Sequence, residues 1–120
     1  MTKGQIEAQI SEAIIKFEKE YLGRGPVETR THIIEDMVLV RLKGVLTPAE
    51  EKLAESAEGA DLIKKTRVRL LEGARYLLEN IIMNITACKV RSLHTDISTR
   101  IGERVIIFTL EQDLENKLKA

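Results

Sequence analysis

His94 and Asp96 stand two residues apart in the segment SLHTDIS. On a strand that spacing points both side chains to one face. A carboxylate beside an imidazole can orient the ring, raise its pKa or share a metal ion with it. The plainer reading is that both residues hydrogen-bond neighbouring backbone at a strand end, and it carries more weight. His32 would complete a metal pair only if two hairpins lay side by side. The cysteine and histidine spacings of a zinc site are absent from the chain, so neither a metal nor another cofactor is expected.

Arg24, Arg30 and Arg41 are the cations best suited to a small anion. Arg24 lies in Gly23-Arg24-Gly25, a turn whose backbone N–H groups are free to meet a negative charge. The planar fork of arginine suits carboxylate, bicarbonate or phosphate. Together with His94 these three could line an anion pocket. The competing and preferred reading pairs them at the surface with Glu28, Glu35 or Asp36. The GRG turn is not a phosphate loop, because neither GxxxxGK[ST] nor a GxGxxG following a strand occurs.

The other reactive side chains have bland explanations. Cys88 follows a helix, and the electronegative end of a helix raises a thiol pKa, so a packed, inert thiol is expected. The serines lack a GxSxG setting. Glu50 and Glu51 fit the electrostatics of a helix start better than acid–base catalysis. The chain is therefore expected not to be an enzyme. Nucleic-acid binding is disfavoured as well: only Phe17, Tyr21, Tyr76 and Phe108 are aromatic, and at least three fall on apolar stripes, away from any base. The cluster Lys64, Lys65, Arg67 and Arg69 reads as a solvated helix face, or as a dock for an acidic partner or a membrane surface.

The elements that must position these groups alternate between helix and strand periods. Ile6, Ile10, Ile14, Phe17 and Tyr21 form one helical stripe over residues 3–22. Thr2 with Gln5 is a capping box at its start, and Gly23 to Pro26 ends it. Residues 29–34 and 37–43 read as a hairpin with Glu35-Asp36 as a two-residue turn. In its second strand Val38, Val40 and Leu42 face one side, and Met37 and Leu39 the other. Thr47-Pro48-Ala49-Glu50 combines an N-cap, a first-turn proline and a capping box, opening a short helix that ends near Gly59.

Residues 60–85 then read as one long helix, apolar around much of its circumference, with Gly73 marking close packing. A second hairpin joins residues 89–97 to residues 103–110. The tail, residues 111–120, is charged and expected to fray, although Leu114 and Leu118 could continue a short helix. The pattern α-β-β-α-α-β-β predicts an α+β fold, a four-stranded, mostly antiparallel sheet with the long helix on one face. The second face of the sheet is also apolar, so either the first helix or another copy of the protein would cover it. A homodimer is expected.

The 120 residues suit a single domain, and 43% apolar residues suffice for a core without disulfides. Nineteen basic residues balance 19 acidic ones, so no global field draws the chain to nucleic acid or anionic lipid. No apolar run reaches the roughly 20 residues of a membrane span, and the start lacks a secretory core. A lone cysteine fits a reducing, cytoplasmic setting.

Three segments carry a family resemblance: YLGRGP at residues 21–26, DMVLVRLKGVLTPAE at residues 36–50, and SLHTDISTRIGERVIIFTL at residues 92–110. In these the chain resembles the MpsC family, the C component of a sodium-translocating, membrane-potential-generating system. The resemblance covers nearly the whole chain. It implies a small cytoplasmic protein associated with a membrane system that moves ions or takes up inorganic carbon, and a transporter subunit as a possible partner. It transfers no catalytic residue. Ala87 departs from the glycine expected after the long helix. Two functions are consistent with the residues: a non-catalytic accessory or regulatory protein that works by contact, and a small-anion sensor.

Overall fold

The computed structural model describes residues 1–119. Helix α1 (Lys3–Leu22) leads into the hairpin β1 (Glu28–Ile34) and β2 (Met37–Lys43). Three helices follow: α2 (Pro48–Leu53), α3 (Ala57–Gly73) and α4 (Arg75–Thr86). The hairpin β3 (Val90–Ser98) and β4 (Glu103–Leu110) and the short helix α5 (Leu114–Lys119) complete the chain. The four strands form a single sheet in the order β1-β2-β4-β3, antiparallel throughout. The fold is the α+β arrangement expected, with the second strands of the two hairpins meeting at the centre.

Local chemistry sets the element ends. The Thr2 hydroxyl accepts from the Gln5 N–H while the Gln5 side chain accepts from the Thr2 N–H, and Thr47 and Glu50 repeat this box at α2. Gly23 closes α1 in the left-handed conformation at φ 82°. The turn between β1 and β2 needs the same conformation without glycine, and Glu35 supplies it at φ 54°.

The residues expected to form one long helix form two. At Ala74 the backbone leaves the helical region (φ −106°, ψ 6°), and its N–H bonds three residues back to the Leu71 carbonyl. Gly73 marks this break rather than a tight packing contact, since nothing lies within 4 Å of where its Cβ would be. The start of α3 also moves. Gly59 belongs to its first turn, where it accepts no side chain: a Cβ there would sit 1.9 Å from the Leu53 carbonyl oxygen. Ser56 caps that turn by accepting from the Gly59 N–H.

The core lies on one side of the sheet. Ile33, Val38, Val40, Leu42, Ile106, Phe108 and Leu110 point into it and meet Ile6, Ile10, Ile14 and Phe17 of α1 and Leu78 and Ile82 of α4. The first helix therefore shares the face of the other helices instead of covering the second face. It also guards the outer edge of β1, where Glu7 accepts from the Ile33 N–H and Ser11 bonds the Thr31 hydroxyl. The tail is docked rather than frayed up to Lys119. Leu114 is buried, the Glu115 N–H donates to the Glu35 carbonyl, and Lys3 pairs with Glu115 at 2.8 Å. Residue 120 of that predicted tail lies outside the described residues.

Helix α4 ends on Ala87 in the left-handed conformation (φ 59°, ψ 22°), its N–H donating to the Met83 carbonyl. The cap geometry that a glycine would supply is thus kept by an exposed alanine, at a conformational cost of about 1–2 kcal/mol. Ala87→Gly is expected to raise stability by about 0.5–1 kcal/mol, net of the added freedom of the unfolded chain. Urea denaturation should show a higher midpoint at unchanged slope; a lower midpoint would contradict the cap assignment.

Candidate functional site

The face of the sheet turned away from the helices collects most of the residues with chemical potential. Strand register arranges it in rows. His32, Leu39, Ile107 and His94 form one row across β1, β2, β4 and β3. Arg30, Arg41, Val105 and Asp96 form the next, and beyond it lie Glu28, Lys43, Glu103 and Ser98. On the other side of the histidine row lie Ile34, Met37, Thr109 and Ser92. The centre of the face is apolar and half-buried, through Met37, Leu39, Val105 and Ile107, and the exposed Ile34 extends it outward.

Arg30 and Arg41 are direct cross-strand partners. Like charges so placed repel, and two carboxylates relieve the strain. Glu28 accepts from Arg30 Nε at 2.8 Å and lies 3.7 Å from Lys43 Nζ, while Glu103 accepts from both Nε and Nη2 of Arg41. The hydrogen bond from Arg30, followed by the charges of Lys43 and Arg30, holds the Glu28 carboxyl below its ordinary pKa. Glu28, Arg30, His32, Arg41 and Lys43 line a cavity of about 330 Å³. It is a cationic depression that already contains an anionic group of the protein.

The remaining site residues are dispersed. Arg24 lies in the loop after α1 and makes no hydrogen bond or ion pair among the described residues. His94 is at the far side of the sheet from Arg30 and Arg41, its Nε2 3.1 Å from the Ser92 hydroxyl. Asp96 shares its face but makes no hydrogen bond with the His94 ring among the described residues: it accepts from the Ile97 N–H at 2.8 Å and lies 3.7 Å from Lys64 Nζ. The hairpins do adjoin, but through β2 and β4, so His32 and His94 sit on opposite outer strands about 14 Å apart. A shared metal ion is out of reach of that pair, and among the described residues no group of three or more potential ligands converges. Cys88 is buried, donating toward the Thr86 carbonyl and the Gln112 side chain.

A buried polar cluster behind the sheet escaped the pattern of residue types. Arg67, expected on a solvated cationic face, is buried. It donates from Nη2 to the Val45 carbonyl at 2.9 Å and clamps Glu50 through Nε and Nη2. Burial alone would raise the Glu50 pKa, but the bonds from Arg67 and Thr47 prevail and the carboxyl is held below its usual range. Glu50 thus closes the α2 capping box and ties α2 to α3.

Nearby, Glu18 and Arg104 face each other at 3.6 Å, both almost fully enclosed. Burial pushes the Glu18 carboxyl up, with Arg104 and Arg67 pulling against it, and burial also lowers the Arg104 pKa. A signal for this pair was present. Glu18 follows Ile10 and Ile14 at helical spacing, and Arg104 occupies the inward parity of Ile106 and Phe108.

The chain matches the family described as "Na+-translocating membrane potential-generating system (MpsC)" over residues 2–112. It is 51% identical over 118 residues to the "Uncharacterized protein YbcI" of Bacillus subtilis (strain 168), covering 98% of this chain and 95% of that protein. It is 24% identical over 114 residues to the "Uncharacterized protein YrhF" of the same organism, covering 93% of each. No solved structure gives a significant match.

The Glu18–Arg104 pair is long, and neither Glu18 Oε1 nor Arg104 Nη1 makes a hydrogen bond among the described residues. Removing one partner leaves a buried, uncompensated group, so Glu18→Leu and Arg104→Met are each expected to cost about 3–5 kcal/mol. The double variant is expected to lie within about 1 kcal/mol of the parent. Urea denaturation of the four proteins measures the coupling; additive losses would mean that the two charges do not compensate each other.

Proposed function

The chain belongs to the MpsC family, and from that premise we propose that it is a non-catalytic accessory or regulatory protein of a membrane system that transports ions or bicarbonate. It acts from the cytoplasmic side, through contact with a transporter subunit. No helix among the described residues is long and apolar enough to cross a membrane. The reading accordingly gives this chain a docking role and leaves translocation to the partner.

The observation that supports docking is a stripe on α3. Leu62, Thr66, Leu70 and Gly73 recur at helical spacing on one side of the helix, with Arg69 beside them, and all are exposed. Leu62 and Leu70 are 56% and 40% accessible, large values for leucines on a helix whose other side is packed. Thr66 and Gly73 keep the surface between and beyond them low. Such a stripe suits an apolar helix laid against it, with Arg69 available to an acidic group.

A second reading, a small-anion sensor, draws on the direct pairing of Arg30 with Arg41. Glu28 and Glu103 compete with any ligand there, which ranks it below docking.

Two experiments separate these readings. Affinity capture from membranes of cells expressing the chain and its transport system is expected to recover a membrane transport subunit. Recovery should fall sharply with the Leu62→Glu/Leu70→Glu variant, and failure to recover any transport subunit with the parent protein would count heavily against docking. Calorimetry with bicarbonate, phosphate and simple carboxylates is expected to give no heat at millimolar ligand. Saturable heat abolished by Arg41→Gln would instead favour the sensor.

A further inference from the structure

The order of residues on the open face of the sheet matches opposite charges and apolar residues to one another under a two-fold rotation onto a second copy of the chain. Consider a two-fold axis parallel to the strands, lying in the plane of the face between β2 and β4. Rotation about it exchanges the two sides of the sheet and keeps each residue at its own height along the strand. Strand β1 then lies over β3 of the second copy, and β2 over its β4. Each row of the face meets the same row of the second copy in reverse order.

The consequences can be read from the register. Leu39 stacks on Ile107 of the other copy, twice, at the centre. Arg30 meets Asp96, and Lys43 meets Glu103, each also twice. Arg41 lies over Val105, and Met37 over Thr109. No carboxylate is set against a carboxylate in these rows, and no arginine or lysine against another. The alternative axis, perpendicular to the strands, puts each strand over itself, so Arg30 on β1 cannot meet Asp96 on β3, nor Lys43 on β2 meet Glu103 on β4, and both opposite-charge pairs are lost.

The charges needed for the favourable arrangement are available. The side chains of Arg30 and Asp96 are 70% and 83% exposed, and their own-chain partners, Glu28 and Lys64, are also solvent-accessible. Exposed pairs of this kind exchange partners at little cost.

We infer that two copies associate through these open faces, giving two four-stranded sheets packed face to face around Leu39 and Ile107. Packed sheets align to within about 30°, so the match is best in the central rows and loosens toward the corners. The face offers four outward positions on each of four strands, somewhat below the roughly 20–30 residues a side of a standard interface. The dimer is accordingly reversible and governed by its charge pairs as well as its apolar centre. The exposed stripe of α3 remains outside this contact, so a dimer of this kind leaves Leu62 and Leu70 free for a transporter subunit.

Sedimentation velocity on the full chain across micromolar concentrations tests it, with circular dichroism as the folding control. The parent is expected to dimerise. Arg30→Glu and Asp96→Arg should each raise the dissociation constant by roughly tenfold or more, because each change acts twice across the axis. The combined Arg30→Glu/Asp96→Arg variant should recover dimerisation, and Leu39→Arg should abolish it. A parent that stays monomeric overturns the inference, as does a combined variant no tighter than the single ones. A dimer that survives Leu39→Arg but is lost on Thr95→Pro would be joined through the β3 edges, and would overturn it equally.

Discussion

Enclosing Phe108, Ile106, Val38 and Val40 beneath α1 and α4 fixes the register of the two central strands. Side chains alternate across a sheet with a period of two. A one-residue slip of β4 would therefore carry Phe108 to the open face and Ile107 into the core. Everything on the open face inherits its position from that burial. Arg41 lies beside Glu103, and Leu39 beside Ile107, because the residues between them are locked from behind. The open face is thus a rigid array whose order is set by packing in which its own side chains take no part.

The helical layer shows how such packing can include charge. Arg104 occupies an inward position on β4, and Glu18 the matching side of α1. A carboxylate and a guanidinium in so enclosed a place gain less from each other than they lose to desolvation, which is why burial dominates both pKa shifts. Arg67 is differently served. It has a backbone carbonyl and a bidentate carboxylate, and its partner Glu50 doubles as the closing residue of a capping box. One arginine therefore links the start of α2, the loop after β2 and the middle of α3. The other faces Glu18 at 3.6 Å, with its Nε and Nη1 making no hydrogen bond among the described residues.

Much of this was legible in the chain because local signals agreed with global ones. Both capping boxes, the left-handed Gly23 and the two hairpins follow from residue types at fixed offsets, and tertiary packing does not oppose them. The break at Ala74 was not legible. Ile63, Arg67, Leu71, Ala74, Leu78 and Ile82 keep a helical spacing across it, so periodicity reads straight through. Gly73 was the one hint, and a glycine serves equally for a close contact. Strand order was hidden for a related reason. All four strands carry inward apolar residues, and only the assembled sheet distinguishes centre from edge. That order is what separates His32 from His94, whereas the pairing of Arg30 with Arg41 follows from the two-residue turn of the first hairpin. Arg67 was misplaced because a run of basic residues suggests solvent, whereas its inward position is visible only beside Ile63 and Leu71.

The two edges of the sheet are treated unequally, and the difference bears on what the protein can meet. At β1 the edge is closed from within: α1 lies along it, and Glu7 takes the Ile33 N–H. At β3 the guard is slighter. Asp96 folds back to accept the Ile97 N–H, and a register shift between Val90 and Ser92 disturbs the other end. A charged residue and an irregularity are common means of keeping an edge from pairing with a stray strand. Growth of the sheet sideways is thereby discouraged at both ends, while its open face carries no comparable obstruction over Leu39, Val105 and Ile107. Asp96 belongs to both surfaces at once, since its carboxylate blocks the edge while remaining exposed on the face. A contact through the face can use that charge without uncovering the edge, and in this geometry packing layer on layer is favoured over strand joining strand.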